Sequence, residues 1–470
     1  MSGPAIVVID VGKTSAKVVL CDTDGVEGLR KERPNRFVTS DGLRVLDAAG
    51  IEDWLAGVLR ELAREADIRL LVPVAHGAAA AIVRDGRLAR PPLDYEQRLP
   101  MAMRAEYDRQ RDSFAATGSP ALPDGLNLGA QLHLLEAEEP SLLSGDAQIL
   151  LWPQYWSWRL TGIAAAELSS LGCHTDLWRP WEGAPSALAV RRGWAARLPP
   201  VRPAGAVLGP LRPEWVERTG LSLDVQVLCG VHDSNAALIA ARAFPELDRR
   251  EATTLSTGTW FVAMRSPPPG VAVAVPEGRD CLVNVDVEGL PVPSARFMGG
   301  REIELLLRED DIQIDSLEAG AELTAALASV AAADIAIAPS MVPGTGPFPE
   351  RNGGWLLRPA TILERAAAAA LYAALMADAA LDLIGARERL LVEGRFARAE
   401  AFVRALATLR PGTSLFVAKG QTDLAFGACR LANPALRPPC DLARVEPLDI
   451  DLAAHRERWR RHVKAGEISA

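Results

Sequence analysis

A two-domain α/β fold is the architecture this sequence predicts, on three observations. The chain has 470 residues, enough for two separate cores. Apolar strand candidates alternate with helix-period segments along its length, which is the pattern of helices packed on a sheet. Two similar strand–turn–strand segments, VVIDVGKTSAKVVL near the start and TTLSTGTWFVAM after residue 250, each open one half. Domains of 1–242 and 243–470 follow. A duplicated fold with one hairpin per half produces this pattern, and so do two unrelated hairpins.

The elements run in order. AIVVI (5–9) and AKVVLCD (16–22) are apolar strands, and the glycine-containing turn VGKTS joins them as a β-hairpin. IEDWLAGVLRELAREA (51–66) has helical period, with Trp54, Leu55, Val58, Leu59 and Leu62 on one side. LLVPVAHG (70–77) is a strand running into a glycine, and 90–125 is rich in Pro, Arg and polar residues, hence irregular with short helices. LGAQLHLLEAEEP (128–140) is a helix stopped by Pro140, and the aromatic ILLWPQYWSWRLTG (149–162) closes on Gly162. GVHDSNAALIAA (230–241) reads as a strand end, a small acidic turn and an alanine-rich helix. The second half offers the hairpin 253–265, helices at 316–333, 361–385, 399–409 and 423–432, and the strand RLLVEG (389–394). Pro-rich breaks at 266–269 and 343–349 are loops.

Composition narrows the function class. The formal charge is −9, from 51 basic and 60 acidic side chains, with no basic run and no Cys/His finger, which argues against a nucleic-acid surface. Six scattered cysteines form no CxxC, which fits a reduced, intracellular protein. MSGPAIVVIDVG lacks a charged segment followed by a separate apolar core, so no signal peptide is expected and the location expected is cytoplasmic. The apolar stretch 365–385 is interrupted by Asp378 and Asp382, which suits a buried helix better than a membrane span.

Three short motifs carry the chemistry. GKT at 12–14 is not a P-loop, because the first glycine of that motif would fall at Val7 and a strand, not a helix, follows. The turn still offers backbone N–H groups at Gly12, the hydroxyls of Thr14 and Ser15, and the ammonium groups of Lys13 and Lys17, all suited to phosphate oxygens. Asp10, at the end of the buried strand, is placed to meet Mg²⁺ through water. A polar hairpin turn with a cap-like Asp accounts for the same residues. LSTGTW (255–260) repeats the offer with Ser256, Thr257, Gly258 and Thr259. Asp233 is either a helix cap, worth about 1 kcal/mol, or a base at a strand's C-terminal end, able to take the proton of a substrate hydroxyl during phosphoryl transfer. His232 beside it could orient substrate.

In this order the motifs resemble the FGGY family of carbohydrate kinases, over most of the chain. IDVGKTSAK resembles the family's first phosphate motif, VAHG (74–77) its segment near the sugar, and PLDYEQR (92–98) its polar sugar contacts. YWSWRLTG (155–162) and ELSSLGCHTDLW (167–178) follow as in the family. GVHDSNAA is similar to the segment with the catalytic Asp, LSTGTW to the second phosphate motif, LLVEGRFARAEAFVRALA (390–407) to the adenosine motif, and FGACRLA (426–432) closes the pattern. His232–Asp233 and Thr257–Trp260 are most similar to the rhamnulokinase-like and fuculokinase-like branches. Two departures stand out. Lys13 occupies a position where many members have Thr, adding a phosphate-reaching cation. A single Gly394, between Glu393 and Arg395, replaces a run of glycines.

The resemblance implies an actin/hexokinase-like (ribonuclease H-like) fold with an interdomain cleft, using ATP and Mg²⁺. It implies Asp233 as general base and Asp10 toward the metal. Gly12, Lys13, Thr14, Ser15, Lys17, Thr257, Gly258, Thr259 and Gly394 would face nucleotide. His76, Gly77, Asp94, Glu96, His232, Asp233 and Asn235 would face the sugar, and Trp152, Trp156 or Trp158 could stack on it. The substrate expected is a small neutral sugar, a ketose such as a pentulose or 6-deoxyhexulose; a homodimer is left open, and no nucleic-acid or membrane partner is expected. A non-catalytic nucleotide-binding regulator on the same fold is the alternative. Acyl-phosphate formation ranks lower, since a carboxylate substrate calls for a more arginine-rich pocket.

Overall fold

The computed structural model describes residues 3–310, 312–316, 320–420 and 423–465. Its contacts define two units, each described on its own: Met1–Ala243 with Val283–Pro291 and Thr422–Pro439, and Phe244–Leu282 with Val292–Gln421 and Cys440–Ala470.

The first unit is built on β1 (Pro4–Val11), β2 (Ser15–Asp22), β3 (Glu27–Pro34), β4 (Asp67–Ala75), β5 (Val207–Pro210), β6 (Gln226–Leu228) and β7 (Val231–His232). The sheet order is β5-β6-β4-β1-β2-β3, and β7 also pairs with β4. β1 is buried from Ala5 to Val11, Asp10 included, and its apolar run 5–9 suits a central strand covered on both faces. On one face lies α1 (Ala48–Leu62), started by the Asp47 side chain accepting from the Gly50 N–H and burying Ile51, Leu55, Val58, Leu59 and Leu62. After α2 (Leu128–Glu138), α3 (Trp152–Thr161) enters the same core and ends at Gly162, whose φ of +82° needs glycine. Trp152, Trp156 and Trp158 are at most 5% exposed, and Trp152 stacks on Tyr155 at 5.1 Å. The tryptophans considered for sugar stacking are core residues instead. The first unit also holds α4 (Asp233–Arg242).

The second main sheet is built on β8 (Ala252–Thr257), β9 (Phe261–Ser266), β10 (Cys281–Val285), β11 (Pro291–Phe297), β12 (Arg389–Gly394), β13 (Ser414–Ala418) and β14 (Leu442–Arg444), in the order β10-β11-β9-β8-β12-β13-β14; it belongs to the second unit apart from Val283–Val285 and Pro291. The core of that unit packs α5 (Gly320–Ala332), α6 (Ile362–Leu383) and α7 (Glu400–Leu409). Residues 317–319 of the helix expected at 316–333 lie outside the described residues. α6 opens with a capping box: the Glu364 N–H donates to Thr361 Oγ1, and the two side chains bond at 2.7 Å. It is long and apolar enough to cross a membrane, yet it is mostly buried in this core. Asp378 in its last turns is paired with Arg410 at 2.8 Å, which answers the carboxylate inside the fold.

The faint repeat in the sequence becomes a repeat of topology. In the first unit β3-β2-β1 pair antiparallel, β1-β4-β6 parallel, and β6-β5 antiparallel. In the second, β11-β9-β8, β8-β12-β13 and β13-β14 follow the same succession. The division expected near residue 242 is crossed twice, because 283–291 and 422–439 lie with the first unit. The second crossing has a visible cause. α8 (Leu424–Ala432) packs on α4 backbone to backbone, since a Cβ on Gly427 would lie 1.8 Å from the Ala236 carbonyl oxygen.

Candidate active site

Strand register assembles the site in the first unit. Asp10 on β1 lies opposite Val74 on β4, and Val74 opposite Val231 on β7; Val11, Ala75 and His232 form the next row. Asp10, His76 and Asp233 therefore sit at the C-terminal ends of three parallel strands, the end where α/β sheets place their ligands.

Asp233 is the first residue of α4, not its cap; the cap position is His232, which makes no capping side-chain bond. Asp233 Oδ1 accepts from the Ser234 N–H at 2.6 Å and the Ser234 hydroxyl at 3.2 Å, and lies 3.2 Å from His232 Nε2. Its Oδ2 has no hydrogen-bond partner among the described residues. Burial holds the His232 pKa below its ordinary value against the pull of Asp233, so the ring is neutral. Asn235 Nδ2 lies 3.4 Å from His232 Nδ1, which fits an accepting Nδ1 and an Nε2–H turned to Asp233. The His232 backbone N–H meets Ser169 Oγ, itself bonded to the fully buried Glu167. Glu167 and Ser169 thus brace the strand end that carries His232 and Asp233, a role no local pattern in ELSS announces.

Asp10 is 5% exposed and makes no side-chain hydrogen bond among the described residues. Burial, then the Asp233 charge, push its pKa up to about 7, while Lys17, its partner across the hairpin, pulls the other way. An acid so placed wants a counter-cation. Among the described residues no three acidic, His or Cys side chains cluster as a protein-made metal cage. Two carboxylates close enough for the charge of one to raise the pKa of the other fit Mg²⁺, which keeps water and phosphate oxygens as most of its ligands.

His76 is buried, and burial lowers its pKa to about 4. Its Nδ1 accepts from the Ala78 N–H at 3.3 Å, which leaves the proton on Nε2, and that atom has no partner among the described residues. Gly77 is a packing residue: a Cβ there would come within 2.5 Å of Cys173 Sγ and 3.0 Å of His232 Nε2. Asp94 is also buried and is already engaged. Its Oδ1 accepts from Lys13 Nζ and the Glu96 N–H, its Oδ2 from Arg44 Nε at 2.9 Å. Burial alone would raise the Asp94 pKa; these donors outweigh it and hold the carboxyl below the usual range. Lys13 Nζ also lies 3.7 Å from Glu96 and 4.4 Å from the centre of the Tyr95 ring.

Around the first turn, Thr14 is exposed, Gly12, Ser15 and Lys17 are half-buried, and the N–H groups of Lys13 and Thr14 have no acceptor among the described residues. Asn35, which sequence reasoning missed, shapes this turn by donating to the Gly12 carbonyl at 2.8 Å while its own N–H meets the Thr14 carbonyl. Its distance along the chain hid it.

In the second unit the turn after β8 occupies the matching strand end. Gly258 faces open space, with nothing nearer than 3.9 Å to a Cβ built there, and Ser256 and Thr259 are exposed. The Thr257 hydroxyl is spent inside the protein: it donates to the Glu393 carbonyl and accepts from the Phe396 N–H. Gly394, at φ +82°, lets β12 close on β8, since a Cβ would lie 2.2 Å from the Thr257 carbonyl oxygen. Burial raises the Glu393 pKa to about 6, with the Ser256 hydroxyl acting the other way.

Residues 249–439 match the family described as carbohydrate kinase FGGY, C-terminal domain. A crystal structure of a carbohydrate kinase from Novosphingobium aromaticivorans shares 53% sequence identity, with a TM-score of 0.96 over 99% of this chain and 100% of that one. A xylulose kinase from Rhodospirillum rubrum matches at 20% identity and TM-score 0.77, over 99% and 98% of the two chains. Plasmodium falciparum glycerol kinase with ADP matches at 13% and 0.78, over 99% and 98%. The last two show likeness of fold.

Proposed function

As the chain belongs to the FGGY family of carbohydrate kinases and is a sugar phosphotransferase, we propose that it transfers the γ-phosphate of ATP to a hydroxyl of a small neutral ketose, with Asp233 as general base. One observation carries the reading. Asp233 Oδ1 is held by Ser234 and His232, while Oδ2, without a hydrogen-bond partner among the described residues, is placed to take a proton. The neutral His232 ring fixes the carboxylate without competing for the proton. The unpartnered Nε2–H of His76 supplies a buried donor that a sugar hydroxyl would satisfy. Asp10 would hold Mg²⁺ through water; when bound, the ion neutralises charge on the transferred phosphoryl oxygens. The free N–H groups of the first turn suit those oxygens. The Asp233 carboxylate repels an anionic sugar acid or sugar phosphate, which supports a neutral substrate.

A coupled ATP-consumption screen over ketoses, aldoses, polyols and aldonic acids tests the reading. The highest kcat/KM is expected for a neutral pentulose or 6-deoxyhexulose. Preference for an aldonic acid would refute the substrate class. Nucleotide binding without ATP consumption on any sugar would favour the non-catalytic regulator. For the second turn, a Cβ on Gly258 meets nothing nearer than 3.9 Å, and thermal unfolding checks that the Gly258→Val protein is folded. Affinity for a non-hydrolysable ATP analogue, read by calorimetry, should fall about tenfold or more, roughly 1.4 kcal/mol; wild-type affinity would show that this turn does not face phosphate.

A further inference from the structure

The hairpin that carries Asp10 also carries Lys13, and the contacts of Lys13 lead away from phosphate. Its ammonium is shared between Asp94 and Glu96 and lies over the Tyr95 ring, so three consecutive residues of one segment receive it. That segment is otherwise tied to the Leu43–Leu46 strand: Arg44 bonds Asp94 and Glu96, the Arg44 N–H meets Gln97 Oε1 at 2.6 Å, and the Leu46 N–H meets the Pro92 carbonyl. Tyr95 in turn stands edge-on to His76, ring centres 5.8 Å apart.

We propose that Lys13 is a positioning residue for the sugar: it fastens the 92–97 segment to the hairpin turn and so sets Tyr95 against His76, rather than contacting nucleotide phosphate. The inference rests on the sugar-kinase reading above. Its physical basis is the Asp94 side chain, 2% exposed. Swinging Lys13 toward a phosphate would strip a buried carboxylate of one of its two cations, which costs far more than releasing a screened surface pair. The freed turn N–H groups can serve phosphate without it. Lys13 acts on the substrate through Asp94 and Tyr95, so its loss shows in sugar binding.

The test compares wild type with Lys13→Gln, Lys13→Arg, Asp94→Asn and the Lys13→Gln/Asp94→Asn double variant. Two quantities are read: the sugar KM at saturating ATP, and the Kd of a non-hydrolysable ATP analogue by calorimetry, with thermal unfolding as a check of folding. Lys13→Gln should raise the sugar KM about tenfold and leave the analogue Kd within about twofold, a split that a general loss of stability would not produce. Lys13→Arg should recover most of the sugar KM. The double variant should be no worse than the poorer single one, because both remove the same link. A rise of the analogue Kd beyond threefold in Lys13→Gln overturns the proposal whatever the sugar KM does, as does an unchanged sugar KM. Wild-type protein that turns over no sugar refutes the parent reading instead, which keeps the two failures apart.

Discussion

Replacing Asp233 by Asn is expected to lower turnover by a factor of about 10² to 10⁴, the usual contribution of a positioned general base, with nucleotide affinity nearly unchanged. Asn keeps the shape of the side chain and an oxygen for the Ser234 N–H. It loses the proton affinity of Oδ2, which has no hydrogen-bond partner among the described residues. Because Asp233 is not the cap of α4, the change should cost the helix little. Single-turnover rates at saturating ATP and sugar check this. Turnover within about threefold of wild type would remove Asp233 from the chemistry.

Asp10→Asn is expected to stabilise the protein and disable it. The Asp10 carboxyl is raised to about 7 in the folded chain from an ordinary 3.8, by burial first and the Asp233 charge second. Between roughly pH 4 and 7 the folded state therefore holds a proton that the unfolded chain has released. Stability falls as pH rises through that window and levels off above it. Asn carries no such penalty. At ~1.4 kcal/mol per unit, the advantage of the variant over wild type should widen by about 2–3 kcal/mol between pH 5 and pH 8. Millimolar Mg²⁺ and ATP should narrow the gap by stabilising only the wild-type carboxylate, while Mg²⁺-dependent activity falls in the variant. Denaturant unfolding at the two pH values reads the effect, and a gap that does not change with pH would show that Asp10 is not held protonated.

Local pattern was enough for much of the fold. The apolar run of β1 and the glycine turn after it specify a hairpin; Thr361 and Glu364 specify where α6 begins; Gly162 specifies where α3 ends. The order of the short motifs was enough to suggest the family and to single out Asp10, His76 and Asp233, because each is next to a strand end that its own neighbours define. The repeat was barely legible, since two units can share a succession of strand pairings while sharing only a hairpin's worth of sequence pattern.

What tertiary structure alone decided is how these residues are used. Thr257 looked like a phosphate hydroxyl and is instead a stitch between β8 and the end of β12. Trp152 and Trp156 looked able to stack on a sugar and are core. Asn35 supports the site from outside every motif, and Glu167 and Ser169 lie in a segment whose pattern gave them no role. Lys13 looked like a free cation and is spent on Asp94 and Glu96. The reason is the same in each case. Chain neighbours determine a strand, a turn or a helix end, but whether a hydroxyl, ring or charge is free depends on burial and on partners brought close in space. The acidity of Asp10 is the clearest instance: it is set first by the water that the sheet excludes and second by the Asp233 carboxylate brought close by another strand.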